Sequence, residues 1–215
     1  MTRPASEPAI NLPPLTLSLI AVNVVVFAAI RLLPADSGWQ AIDSFGFIPQ
    51  RYVGGMPAGV AAIYTPITYQ FLHGDWVHLA VNMVSLAAFG AGVERRVGGG
   101  TMLSVYLLCG LLAAAAHFAI YPDSTDPVIG ASGAISGLMG GVLRLMGGAG
   151  RPRGSGSGLI GLAVIWAVSM IAFGIIGMPG DGGTQIAWVA HLGGFVAGLL
   201  LFRFFIRDGP TDDQT

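Results

Sequence analysis

Hydrophobic positions along this chain gather into six long runs, with neither the strict alternation of a half-buried strand nor the one-sided stripe of a surface helix. The runs lie near Leu15–Leu33, His78–Val97, Met102–Ile120, Gly130–Met146, Leu159–Ile176 and Gln185–Phe205. Each approaches the roughly 20 residues that an α-helix needs to cross a bilayer. A helix satisfies its backbone hydrogen bonds internally, so the pattern predicts six membrane helices. The first run is read as a span and not as a signal peptide, because Arg3 alone precedes it and no A-x-A pattern follows.

The connections differ in character. Residues 34–77 carry Trp39, Phe45, Phe47, Tyr52, Tyr64, Tyr69 and Phe71, too many aromatics for a plain linker. That composition predicts a long first loop laid partly into the membrane interface. Gly147–Gly158 reads "GGAGRPRGSGSG", a flexible linker, and Asp208–Thr215 is a short polar tail. The organisation expected is an N-terminal segment over 1–14, one six-span domain over 15–206 and a tail over 207–215. No internal repeat suggests an inverted-repeat transporter.

Composition narrows the class further. Apolar residues make up 53% and charged residues 10% of the chain, against roughly 25% charged in soluble domains. Neither a soluble nor a disordered chain fits. No basic patch is dense enough to follow phosphates, so nucleic-acid binding is excluded. Cys109 is the single cysteine and lies in an apolar run, which rules out a disulfide framework and a thiolate metal site. No metal or organic cofactor is implied.

All basic residues are arginines. Placing the N-terminus in the cytoplasm puts Arg3, Arg95, Arg96, Arg144, Arg151, Arg153, Arg203 and Arg207 inside, and only Arg31 and Arg51 outside. That asymmetry predicts both termini inside.

The remaining polar residues are expensive in lipid and read as functional. His78 and Asn82 are four apart and share a helix face at the outer end of the second run. Ser132 opens the fourth run at its outer end, within "VIGASGAISGLMGG". His191 lies six residues into the sixth run, roughly 9 Å from its outer end. All four therefore fall in the outer half of the membrane. A serine hydroxyl becomes a nucleophile when histidine takes its proton. N–H groups at a helix start, with Asn and His side chains, suit a developing oxyanion. No acidic residue lies at matching depth, so the arrangement predicted is a Ser132–His191 dyad with His78 and Asn82 as oxyanion donors.

Gly133, Gly137 and Gly141 recur every four residues, as do Gly194 and Gly198. Such small-residue stripes let helices approach closely. If the fourth and sixth runs are neighbours, these stripes bring Ser132 within reach of His191. His117 has no motif around it and reads as structural; His73 reads as a loop anchor.

Taken together, "GASGAISG" (Gly130–Gly137), "AHLGGFVAG" (Ala190–Gly198), "HLAVN" (His78–Asn82), "GAGVERRVGG" (Gly90–Gly99) and "YTPITYQFLHGDWVHL" resemble the rhomboid intramembrane serine proteases, in the family's order, across residues 15–206. The resemblance implies an all-α six-helix bundle with a water-filled cavity open to the outer side, and the short termini suit a bacterial inner membrane as the expected location. It implies Ser132 as nucleophile, His191 as base, and His78, Asn82 and the Ser132 N–H at the oxyanion. Gly130 would let the preceding loop approach the scissile carbonyl, and Glu94 would act structurally with backbone or arginine. The implied substrates are single-span membrane proteins, cut in or near their transmembrane segment. Ile63-Tyr64-Thr65-Pro66 stands where some members carry a Trp-Arg pair, and Ser136 where some carry a tyrosine. The competing readings are a non-catalytic rhomboid-like protein that binds membrane segments, and a transporter, which would need polar groups through the full depth of the bundle.

Overall fold

A computed structural model of the chain describes residues 11–54, 59–146 and 188–205, together with positions 161 and 168. The predicted fifth span falls outside the described residues except for Gly161 and Val168. So do the glycine-rich linker, the tail and most of the N-terminal segment.

The first run forms α1 (Pro14–Arg31). Proline fits the start of a helix because its missing N–H would have had no partner there. The first loop contains regular structure that its aromatic composition did not signal: α2 (Ala35–Phe45), a 3₁₀ turn at Pro49–Tyr52, α3 (Ala61–Thr68) and a second 3₁₀ turn at Tyr69–Phe71. The second run is α4 (Trp76–Ser85), a π-turn at Leu86–Gly90 and α5 (Ala91–Val97), without a break. Then follow α6 (Gly99–Ile120), α7 (Ser132–Met146) and α8 (Trp188–Leu201), the last ending in a 3₁₀ turn at Phe202–Phe204.

Three of these helices are long and apolar enough to cross a membrane: Pro14–Arg31, the continuous Trp76–Val97 and Gly99–Ile120. The fourth and sixth runs give shorter apolar helices among the described residues. Val25, Val81, Val84, Leu108, Leu112, Val196 and Leu200 point outward and are exposed. These helices are thus apolar outside as well as inside, which suits lipid and not water. Among the described residues no strand occurs, only one bridge between Phe47 and Val128.

The core lies where α6, α7 and α8 meet. Met102, Val105, Tyr106 and Cys109 of α6 pack with Ala134 and Leu138 of α7 and with Phe202, all fully buried. Glycine makes this possible. A methyl group at Gly194 would stand 2.0 Å from the Gly133 carbonyl oxygen, and one at Gly198 would stand 1.9 Å from that of Gly137. On the other side of α7, a methyl at Gly137 would collide with the Cys109 Cβ of α6 at 2.3 Å. Helix α7 is sandwiched, and its glycines set the spacing on both sides.

Candidate active site

Ser132 is the first residue of α7. The first backbone bond of that helix runs from the Ile135 N–H to the Ala131 carbonyl, 2.9 Å. The N–H groups of Ser132, Gly133 and Ala134 precede it and have no acceptor within the helix. The loop that delivers Ser132 is pinned by the first loop. Phe47 and Val128 exchange two backbone bonds of 3.1 and 2.8 Å, and the Gly130 N–H donates to the Tyr69 carbonyl at 2.9 Å.

Gly130 has φ +120°, and a methyl there would fall 2.7 Å from His78 Nε2. Backbone conformation and space both demand glycine at this point. The His78 ring is therefore held against the backbone immediately before Ser132. Asp75 caps α4 by accepting from the His78 N–H at 2.8 Å, which fixes where that helix begins.

The glycine contacts between α7 and α8 set the register of His191. Its Nε2 lies 2.6 Å from Ser132 Oγ, although the two residues are 59 positions apart. The ring is buried, 6% exposed, and Nδ1 has no hydrogen-bond partner among the described residues. With Nε2 accepting from the serine hydroxyl, the pair has the geometry of a nucleophile and its base.

The other sequence candidates take distinct places. Asn82 is buried one turn along α4 and donates from Nδ2 to the His78 carbonyl at 3.0 Å. His73 is buried beside His78, ring centroids 5.1 Å apart and edge-on. Burial, and then the neighbouring His78, push His73 down to about 3, so its ring is neutral near pH 7. Glu94 lies away from Ser132: its carboxylate accepts from Leu15 N at 3.0 Å, Thr16 N at 2.7 Å and Thr16 Oγ1 at 2.7 Å. Ser136 turns back to its own helix, donating to the Ser132 carbonyl at 2.6 Å.

Sequence reading missed several supporting residues. Asp75, three before His78, carries a readable helix-start signal. Phe47 and Tyr69 carry none, since they act through backbone atoms. Tyr69 is also anchored by its hydroxyl, which donates to the Gly110 carbonyl at 2.7 Å.

The family model for the Rhomboid domain matches residues 60–208. The chain belongs to the rhomboid family. It is similar to the rhomboid protease GluP of Bacillus subtilis (strain 168), 30% identical over 127 residues, covering 59% of this chain and 24% of GluP. Similarity to the rhomboid protease AarA of Providencia stuartii is 30% over 149 residues, covering 58% of this chain and 48% of AarA. The rhomboid protease GlpG of Serratia proteamaculans (strain 568) is 27% identical over 211 residues, covering 94% of this chain and 66% of GlpG. The rhomboid match thus spans less than two thirds of each of these relatives. Family membership and the three spanning helices make the chain an integral membrane protein.

Proposed function

We propose that this rhomboid chain is an intramembrane serine endopeptidase that cuts single-span membrane proteins in or near their transmembrane segment. The observation that carries this reading is the 2.6 Å contact between Ser132 Oγ and His191 Nε2 at the start of a buried helix. His191 takes the hydroxyl proton as Ser132 attacks the scissile carbonyl, and returns it to the leaving amine. Water then hydrolyses the acyl-serine by the same route in reverse.

The oxyanion is met by the Ser132 N–H, which has no acceptor within its helix, and by His78 across Gly130. Asn82 uses one amide N–H on the His78 carbonyl, which leaves the second available to the oxyanion. Lipid supplies no water, so the cavity above Ser132 must open to the outer side. A substrate helix must unwind there, because its carbonyls are otherwise bonded and shielded. The arginine bias supports an orientation with both termini in the cytoplasm of a bacterial inner membrane.

The test is cleavage of a reporter transmembrane substrate in proteoliposomes by the wild type, Ser132→Ala and His191→Ala. Both variants are expected to keep their melting temperature and lose cleavage. Activity surviving in either removes that residue from the mechanism. A silent wild type with several helix-destabilised substrates would favour a rhomboid-like protein that binds without cutting.

A further inference from the structure

The arginine bias leaves two exceptions on the outer side, Arg31 and Arg51. Arg31 is exposed; it donates to the Gly74 carbonyl and lies over the Phe27 ring. Arg51 is buried, 7% exposed. A buried guanidinium needs a partner that offsets the water it has lost.

One residue supplies that partner. Arg51 Nη1 donates to the Asp43 carbonyl at 2.6 Å and Nη2 to the Asp43 carboxylate at 2.8 Å. The planar fork of arginine reaches both oxygens at once, which a lysine cannot match. Asp43 lies in the last turn of α2 and Arg51 in the 3₁₀ turn at Pro49–Tyr52, so their contact closes the intervening chain into a ring.

That ring is the part of the first loop that meets the loop delivering Ser132. Phe47, inside it, makes the two-bond bridge to Val128, and the Gln50 N–H donates to the Ser124 carbonyl at 3.0 Å. A methyl at Gly46 would stand 3.0 Å from Pro127 Cβ and 3.4 Å from Ile129 Cγ2. The Phe47 side chain is buried in a small cluster with Tyr69, Ala114 and Val128. The ring is thus seated along residues 124–129, which lead directly into Gly130 and Ser132. A pairing this short is marginal by itself, so its register depends on whatever fixes the ends of the turn.

We propose that Arg51 is a positioning residue for Ser132. With Asp43 it holds the first-loop turn in the shape that grips residues 124–129, and so sets where the serine enters α7. The inference rests on the proteolytic reading of Ser132 and His191.

The experiment uses the full chain in proteoliposomes and compares wild type, Arg51→Met, Asp43→Asn and the double variant. Two quantities are measured: kcat and KM for a reporter substrate, and hydrogen exchange of the Val128 and Gly130 amides. Methionine keeps most of the length of the arginine stem and removes the fork. Arg51→Met is expected to lower kcat about tenfold with KM nearly unchanged, because a small displacement of a reacting group costs rate more than binding. Loss of the charge-assisted bonds is expected to speed exchange at both amides at least about tenfold, with the amides of α6 unchanged. Asp43→Asn is expected to lower kcat too, and the double variant no further than Arg51→Met, since both changes break one contact. Wild-type kcat in Arg51→Met, additive losses in the double variant, or unchanged exchange at Val128 and Gly130 would overturn the inference. Should Arg51→Met not fold, Asp43→Asn is read by the same kcat and exchange criteria. A wild type that does not cleave would instead sink the proteolytic reading, and the exchange rates would still decide whether Arg51 holds the serine-bearing loop.

Discussion

At the scale of single residues, the candidate site depends on one backbone conformation. Gly130 has φ +120° and carries the His78 ring against it. A side chain there costs about 1–3 kcal/mol in backbone strain alone, and the methyl also overlaps His78 Nε2. Gly130→Ala is therefore expected to remain folded and to lose at least about tenfold in kcat/KM. Reporter cleavage beside a thermal melt checks both halves, and wild-type activity would show that His78 need not sit where it does. The role of Gly130, two before Ser132, was legible in the sequence only through the family resemblance. The partners of that loop were not. Phe47 and Tyr69 hold it through backbone N–H and carbonyl groups, which every residue possesses and no side-chain pattern reports.

At the scale of elements, Glu94 ties the second spanning helix to the start of the first. The family resemblance implies a structural role for it with neighbouring backbone or arginine. In the fold its carboxylate accepts from two N–H groups and one hydroxyl at the N-terminus of α1, across 78 and 79 positions of sequence. Those N–H groups belong to the first helical turn, where donors have no internal acceptor and the helix dipole favours an anion. Glu94→Ala leaves these donors stranded in a partly buried place and is expected to cost about 2–4 kcal/mol. A denaturant titration in detergent measures it; an unchanged midpoint would mean that α1 is held by its apolar face alone. The helices of the first loop were harder to foresee. Segments α2 and α3 are short and lie inside a stretch whose aromatic composition said only that it is too apolar for solvent.

At the scale of the whole molecule, everything turns on how closely α7 and α8 approach. Gly198→Val would place carbon 1.9 Å from a backbone oxygen of α7, which cannot rotate away as a side chain could. The helices must separate, and the Ser132–His191 contact opens with them. The expected result is loss of cleavage together with a lower melting temperature. Gly100→Ala is the control: nothing lies within 4 Å of a methyl there, and alanine improves helix propensity. It is expected to leave activity unchanged and stability equal or slightly higher. Equal behaviour of the two variants would mean that the glycine stripes do not govern the packing.

The sequence alone determined the solvent this chain folds in and the three long spanning helices among the described residues, because runs of that length and apolarity have few other ways to satisfy their backbone in lipid. It also leads to the expectation that Ser132, His191, His78 and Asn82 share one depth, since helix rise converts position into height. It could not decide which helices are neighbours. Small-residue stripes state that a helix can be approached closely, but not by which partner, and all the apolar faces look alike to one another. Only the tertiary structure set α7 between α6 and α8, where glycine carbonyls on one helix fill the missing side chains of the next. That choice brings Ser132 and His191 to 2.6 Å. Side-chain reach is a few ångströms, so only the packing of particular surfaces turns a common depth into a contact.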